Sequence, residues 1–152
     1  MPILPRYFYY FNTILGTIQV MTQIQRRYTW GEFEKDVRAI AAWAENVNVT
    51  EVYGVPRGGL VPAVVLSHEL RVPIVVNESD ITESTLVVDD IIDTGESVAT
   101  LVSNLNVRPK VAAIYAGQCR AFTPDFSIRE KDDWVVFPWE TPDTSRYDGT
   151  AA

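Results

Sequence analysis

The chain has 152 residues, a net charge of −7 at neutral pH and a hydrophobic fraction of 47%. That is one domain's worth of chain with ample material for a core. Its acidic balance excludes a nucleic acid or an anionic membrane surface as the main partner. The one cysteine, Cys119, excludes an internal disulfide and fits a cytoplasmic protein, and no stretch is apolar for long enough to span a bilayer.

Residues 1–20 read as an N-terminal extension, poorly ordered or loosely docked, with a short added strand or helix as the alternative. The aromatic block from Tyr7 to Phe11 has no clean helical or alternating period. Bulky aromatics and the lack of a small-residue cleavage site argue against a signal peptide. A second methionine, Met21, marks where the domain proper starts, so residues 21–140 read as the domain and residues 141–152 as a flexible tail.

Thr29 followed three residues later by Glu32 is a capping box. Phe33, Val37, Ile40, Ala41 and Ala44 then recur on one helical face, and the helix ends near Asn46 to Asn48. Glu51 to Val55 is a strand. Pro56, Arg57, Gly58 and Gly59 follow it. The two glycines allow unusual dihedrals and bare amides, and the Arg57 guanidinium suits phosphate oxygens; a plain strand-to-helix turn fits the same four residues equally well. Leu60 to Leu70 is helical, with Val61, Val64, Val65 and Leu66 as its apolar positions. His68 has no partner in sequence to orient it, which points to a surface role. Pro73 to Val76 reads as a further strand and Asn77 to Ser84 as a short polar link.

Leu86, Val87 and Val88 open the stretch around which the chain is organised. They form a continuous apolar run, as in a strand buried on both faces. Asp89 and Asp90 stand at its end, then Ile91, Ile92, Asp93, Thr94, Gly95, Glu96 and Ser97. Val98, Leu101, Val102 and Leu105 then recur at helical spacing. Strand, tight loop and helix in this order put the loop where open α/β sheets bind ligands. Free amides at the helix start, with the Thr94 and Ser97 hydroxyls, suit a phosphate. Asp89 and Asp90 suit sugar hydroxyls or a hard cation such as magnesium. Val111 to Ala116 is the next strand, Gly117 to Arg120 leaves its end, and Phe122 to Phe126 reads as loop. Cys119 has no histidine near it in sequence, which argues against a catalytic thiol. Trp134 suits stacking on a planar base, whereas Trp139 reads as core.

The run from Leu86 to Ser97 resembles the 5-phosphoribosyl-1-pyrophosphate (PRPP) signature of the type I phosphoribosyltransferases: a hydrophobic run, two acids, an apolar pair, then Asp-Thr-Gly. Trp134 to Glu140 resembles the end of the xanthine-guanine and related 6-oxopurine members, and the likeness spans Thr29 to Glu140. The resemblance implies an α/β fold with a mainly parallel sheet flanked by helices and a small C-terminal hood-like segment, in a homodimer. It implies transfer of a phosphoribosyl group from PRPP to a purine base with release of pyrophosphate, aided by Mg2+. On these lines Asp89 and Asp90 hold the ribose and the metal. Asp93, Thr94, Gly95, Glu96 and Ser97 hold the 5-phosphate, with Asp93 also the general base. Arg57, Gly58 and Gly59 hold the pyrophosphate, and Trp134 and Val135 hold the base. The sequence departs from this family at three places. Pro56 replaces a serine. Gly117 stands where the purine enzymes carry a base-contacting lysine, which leaves Arg120 as a substitute donor and a non-purine acceptor as an alternative. The link from Asn77 to Ser84 is too short for the family's mobile loop, a feature that favours a non-catalytic PRPP or nucleotide sensor as the rival reading.

Overall fold

The computed structural model describes residues 10–14, 17–21 and 25–141. Strands β1 (Tyr10–Ile14) and β2 (Thr17–Met21) pair as an antiparallel hairpin. Most of the rest of the N-terminal extension, Tyr7 to Tyr9 included, and residues 142–152 lie outside the described residues. Strand β3 (Gln25–Arg27) comes next and pairs in parallel with β8 (Trp134–Val136), a pairing of the two ends of the domain that local patterning does not reveal.

Helix α1 (Trp30–Glu45) begins at the expected capping box. The Thr29 side chain accepts from the Glu32 N–H, and the Glu32 carboxylate accepts from the Thr29 N–H at 2.9 Å. Its buried face holds the five expected apolar residues and one acid, Asp36. Strand β4 (Glu51–Gly54) leads to α2 (Leu60–Leu70). The face of α2 that is buried is formed by Pro62, Ala63 and Leu66, whereas Val64, expected among the apolar positions, is exposed, as is Leu60. His68 is exposed, in keeping with a surface role.

The segment Pro73 to Val76 makes only one parallel bridge, Ile74 to Val52, and is not a full strand. The link after it folds as a single 3-10 turn, Glu78–Asp80, with Ile81 buried beneath it. Strand β5 (Thr85–Ile92), helix α3 (Glu96–Ser103) and strand β6 (Lys110–Ala116) follow as read from the sequence. Strand β7 (Phe126–Glu130) was not expected; Phe126 is its first residue rather than the end of a loop. The alternation of Phe126, Ser127, Ile128 and Arg129 was the signal for it.

The main sheet has the order β4-β5-β6-β7, and every pair in it is parallel. Parallel sheets need cover on both faces. One face packs Leu86, Val88, Ala112 and Ile114 against α1 and α2, and the other packs Val87, Val111 and Ala113 with Val98 and Leu101 of α3. This is the α/β fold expected from the order of elements. Its functional consequence is geometric: in a parallel sheet all strands end on one side, so the loops after β4, β5, β6 and β7 share one rim.

The β3–β8 pair is held onto that sheet by a buried polar network. The Tyr28 hydroxyl donates to Asp36 Oδ2 at 2.6 Å, and Arg129 of β7 donates to both Asp36 oxygens at 2.6 and 3.2 Å. Arg26 of β3 donates to the Tyr115 hydroxyl at 3.0 Å and pairs with Glu32. Burial and the adjacent Asp36 carboxylate push the Tyr28 pKa up, so the phenol stays a donor.

Candidate active site

On the shared rim lies a cleft of about 480 Å³, within the usual size of a small-ligand site. Three strand ends and the β8 segment build it. From the turn after β4 come Arg57 and Gly58; from β5 and its loop, Asp89, Asp90, Asp93 and Ser97; from the β8 side, Trp134 and Val135. Eight of the residues expected from the sequence are thus brought to one place. Four are not on its wall: Gly59, Thr94, Gly95 and Glu96.

The turn after β4 is shaped by close approach. Gly59 has ordinary helical dihedrals (φ −66°, ψ −15°), which corrects the expectation that it supplies an unusual conformation. A Cβ on Gly59 would lie 2.4 Å from the Val88 carbonyl oxygen, so its role is to let the turn pack onto β5. Gly58 does the same against a functional group: a Cβ there would lie 2.0 Å from Asp90 Oδ2. The Pro56–Arg57 peptide is cis.

Asp89 and Asp90 are consecutive, and both line the cleft. The parallel ladder between β5 and β6 skips Asp90, and each carboxylate turns back on its own chain. Asp89 Oδ1 accepts from the Asp90 N–H at 2.9 Å, and Asp90 Oδ1 from the Ile91 N–H at 2.7 Å. Burial and then the neighbouring Asp90 charge push the Asp89 carboxyl well above the usual range. Burial also raises Asp90, while hydrogen bonding and the nearby Trp139 indole act the other way. That indole N–H is buried without a hydrogen bond of good geometry. Two crowded carboxylates of this kind fit a hard divalent cation. Among the described residues no group of three or more acidic, histidine or cysteine side chains surrounds a metal position, so such an ion would draw its remaining oxygens from a ligand.

The loop after β5 is splinted by the segment leaving β6. The N–H groups of Gly117, Cys119 and Ala121 donate to the carbonyls of Ile92, Asp93 and Thr94 at 2.8, 2.7 and 2.8 Å. Gly95 turns the loop with φ +85°, a left-handed conformation, and a Cβ there would lie 2.4 Å from the Phe122 carbonyl oxygen. Thr94 and Gly95 therefore shape the loop from outside the wall. Helix α3 then starts at Gly95 without a side-chain cap from that residue, and its first N–H, from Glu96, donates to the Thr94 hydroxyl at a long 3.4 Å.

Seven wall residues were not expected as site residues, Phe137, Trp139, Glu140 and Lys131 among them. Phe137 and Trp139 stack at 4.7 Å and join the core to the cleft. Glu140 is raised by burial, with Asp90 acting in the same direction and Arg57 against it. Lys131, from just past β7, reaches in and pairs with Asp93 at 2.9 Å. Arg120, the substitute donor expected from the sequence, is exposed and not part of the wall.

Comparison with known proteins finds relatives by sequence and by fold. Curated relatives named xanthine-guanine phosphoribosyltransferase are 29% identical in Cereibacter sphaeroides and 28% in Nitratidesulfovibrio vulgaris, in each case over 74% of this chain and over 84% and 83% of the relative. The crystal structure of a purine phosphoribosyltransferase from Pyrococcus horikoshii superposes with a TM-score of 0.66 at 28% identity, covering 77% of this chain and 95% of that one. The chain is thus similar in sequence and in fold to the purine phosphoribosyltransferases. No protein-family model matches it. The acidic β5 loop and the aromatic end of the chain lie on one cleft. No helix among the described residues is long and apolar enough to cross a membrane.

Proposed function

We propose that the protein is a PRPP-dependent purine phosphoribosyltransferase. The observation that carries this reading is the cleft itself, which gathers Arg57, Asp89, Asp90, Asp93, Ser97 and Trp134 around one volume. In the reaction the bond from ribose C1 to pyrophosphate breaks and a bond from C1 to a purine nitrogen forms. The proton displaced from the purine passes to the Asp93 carboxylate. The first amides of α3 and the Ser97 hydroxyl hold the 5-phosphate. Arg57 and the Gly58 backbone hold the departing pyrophosphate. Asp89 and Asp90 hold the ribose hydroxyls and would hold Mg2+. When bound, that ion supplies Lewis-acid stabilisation of the departing pyrophosphate. Trp134 stacks on the base, and the Val135 backbone reads its edge. Fixing sugar, base and leaving group in line contributes much of the rate.

A second reading, binding of PRPP or a nucleotide without turnover, is favoured by one observation. Residues 77–84 fold as a short turn anchored by buried Ile81, and Tyr53 donates to Glu78 at 3.4 Å. That leaves no long loop there to close over the cleft and exclude water.

Incubation with PRPP, Mg2+ and a panel of bases separates the readings. Pyrophosphate release with hypoxanthine, guanine or xanthine is the expected result. Release only with a pyrimidine or another base moves the acceptor class, and PRPP binding by calorimetry without release supports the sensor. No PRPP binding at millimolar concentration defeats both. A further expectation concerns Asp89→Asn. The raised pKa values of Asp89 and Asp90 mean that their ionised forms oppose folding at neutral pH, and that this opposition fades as pH falls through the folded-state values. Removing one charge is therefore expected to raise the melting temperature of the ligand-free protein and to weaken Mg2+-dependent PRPP binding. Calorimetry and thermal melts at neutral pH check both signs.

A further inference from the structure

Asp93, Gly117 and Lys131 leave the same ends of three adjacent parallel strands, β5, β6 and β7. The Lys131 N–H donates to the Ala116 carbonyl at 2.8 Å, which holds its backbone beside the end of β6. Its ammonium nevertheless reaches the Asp93 carboxylate at 2.9 Å, across two strand spacings of about 10 Å in total. Gly117 makes this possible. A Cβ on it would lie 2.2 Å from Asp93 Oδ1, so the carboxylate occupies the space that a side chain at this position would take. The Lys131 side chain is only 19% exposed, unlike an ordinary solvated surface lysine, and it lines the cleft with Trp134.

From this arrangement we propose that Lys131, paired with Asp93, is the residue by which the protein selects a 6-oxopurine over a 6-aminopurine. The inference rests on the reading of the cleft as a purine phosphoribosyltransferase site. An ammonium only donates hydrogen bonds and a carboxylate only accepts them. Side by side, they present a donor next to an acceptor. A 6-oxopurine with a proton on N7 presents the complement, the O6 acceptor next to the N7–H donor. A 6-aminopurine turns its amino group, a donor, toward the ammonium. That mismatch sets two donors against each other at a partly buried charge, and such mismatches discriminate more steeply than shape does. The cation comes from the strand beyond β6 because the strand end at Gly117 has no side chain to supply one.

The test compares the unaltered protein with Lys131→Met, Lys131→Gln and Lys131→Arg. The readout is the ratio of kcat/KM for hypoxanthine to that for adenine, with PRPP affinity by calorimetry and circular dichroism as controls of the site and the fold. The unaltered protein is expected to favour hypoxanthine. Lys131→Met and Lys131→Gln are expected to lower the ratio by about 10- to 100-fold, the worth of a charged hydrogen bond, with PRPP affinity retained. Lys131→Arg, which keeps a donor, is expected to retain part of the preference. Reading the ratio in two neutral variants covers the case in which one fails to fold. A ratio unchanged in the neutral variants, or an unaltered protein that favours adenine, overturns the inference and leaves purine transfer standing. If no base gives pyrophosphate release, the same ratio is read from binding of hypoxanthine and adenine to the PRPP complex. A shift there supports Lys131 as the reader although transfer has failed, and absence of binding by any purine overturns both.

Discussion

Replacing Asp93 by asparagine is expected to lower kcat for purine transfer by roughly two to four orders of magnitude, the usual share of a general base, while PRPP affinity stays near that of the unaltered protein. The physical basis for the separation is the way Asp93 is held. Its backbone carbonyl accepts from the Cys119 N–H, and that contact, with those on either side of it, survives the change. Only the carboxylate differs, and it is half exposed at the cleft, where it can meet a base. Asparagine keeps the shape but has no basic oxygen to take a proton from the purine. It also weakens the hold on the Lys131 ammonium, so the loss in kcat/KM for 6-oxopurines is expected to be at least as large as the loss in kcat. Single-turnover kinetics with PRPP and hypoxanthine isolate the chemical step. Undiminished turnover would remove Asp93 from the mechanism.

Asp36→Ala carries the largest expected effect on stability. The Asp36 carboxylate is almost fully buried and accepts three hydrogen bonds, one from Tyr28 and two from Arg129. Truncation leaves a buried hydroxyl unpaired and leaves the partly buried Arg129 guanidinium with only the longer Glu32 ion pair at 3.7 Å. Breaking one side of such a pair costs about 3–5 kcal/mol, which for a domain of this size lowers the melting temperature by about 10 °C or more. The double variant Asp36→Leu with Arg129→Met removes both charges and is expected to recover much of the loss. A thermal melt of the single and double variants measures this directly. The network also carries a functional load. It ties α1 and β7 to Tyr28, whose N–H donates to the Val136 carbonyl of β8 at 3.0 Å. β8 carries Trp134 and Val135, so a loosened network is expected to raise KM for the base before it alters PRPP binding. Equal melting temperatures for Asp36→Ala and the unaltered protein would show that the network is peripheral to the fold.

Much of the site is readable in one dimension because its parts are local. The acidic loop after β5 needs only consecutive residues: an apolar strand, carboxylates at its end, a glycine in a left-handed turn and the start of a helix. The capping box at Thr29 and the buried face of α1 are local for the same reason, since helix periodicity alone decides which side chains face inward. The glycine pair after β4 is visible too, though the reason for it is not. Gly58 is small because the Asp90 carboxylate, on another strand, presses against it.

What tertiary structure decided is everything that depends on which strand lies beside which. β3 and β8 pair across nearly the whole domain, and neither is long enough to announce itself by alternation. Asp36, an acid on an otherwise apolar helical face, is explained only by Arg129 and Tyr28 arriving from elsewhere in the chain. The substitute for the expected base-contacting lysine shows the difference most clearly. In sequence, Gly117 is simply a missing cation, and Arg120 is the nearest replacement along the chain. In the sheet, Lys131 is on the cleft wall and Arg120 is not, because parallel strands bring their ends to one rim regardless of the length of chain between them. Residue types and local periods determine which chemistry is available to this protein; the strand order determines which of those groups can act on the same ligand.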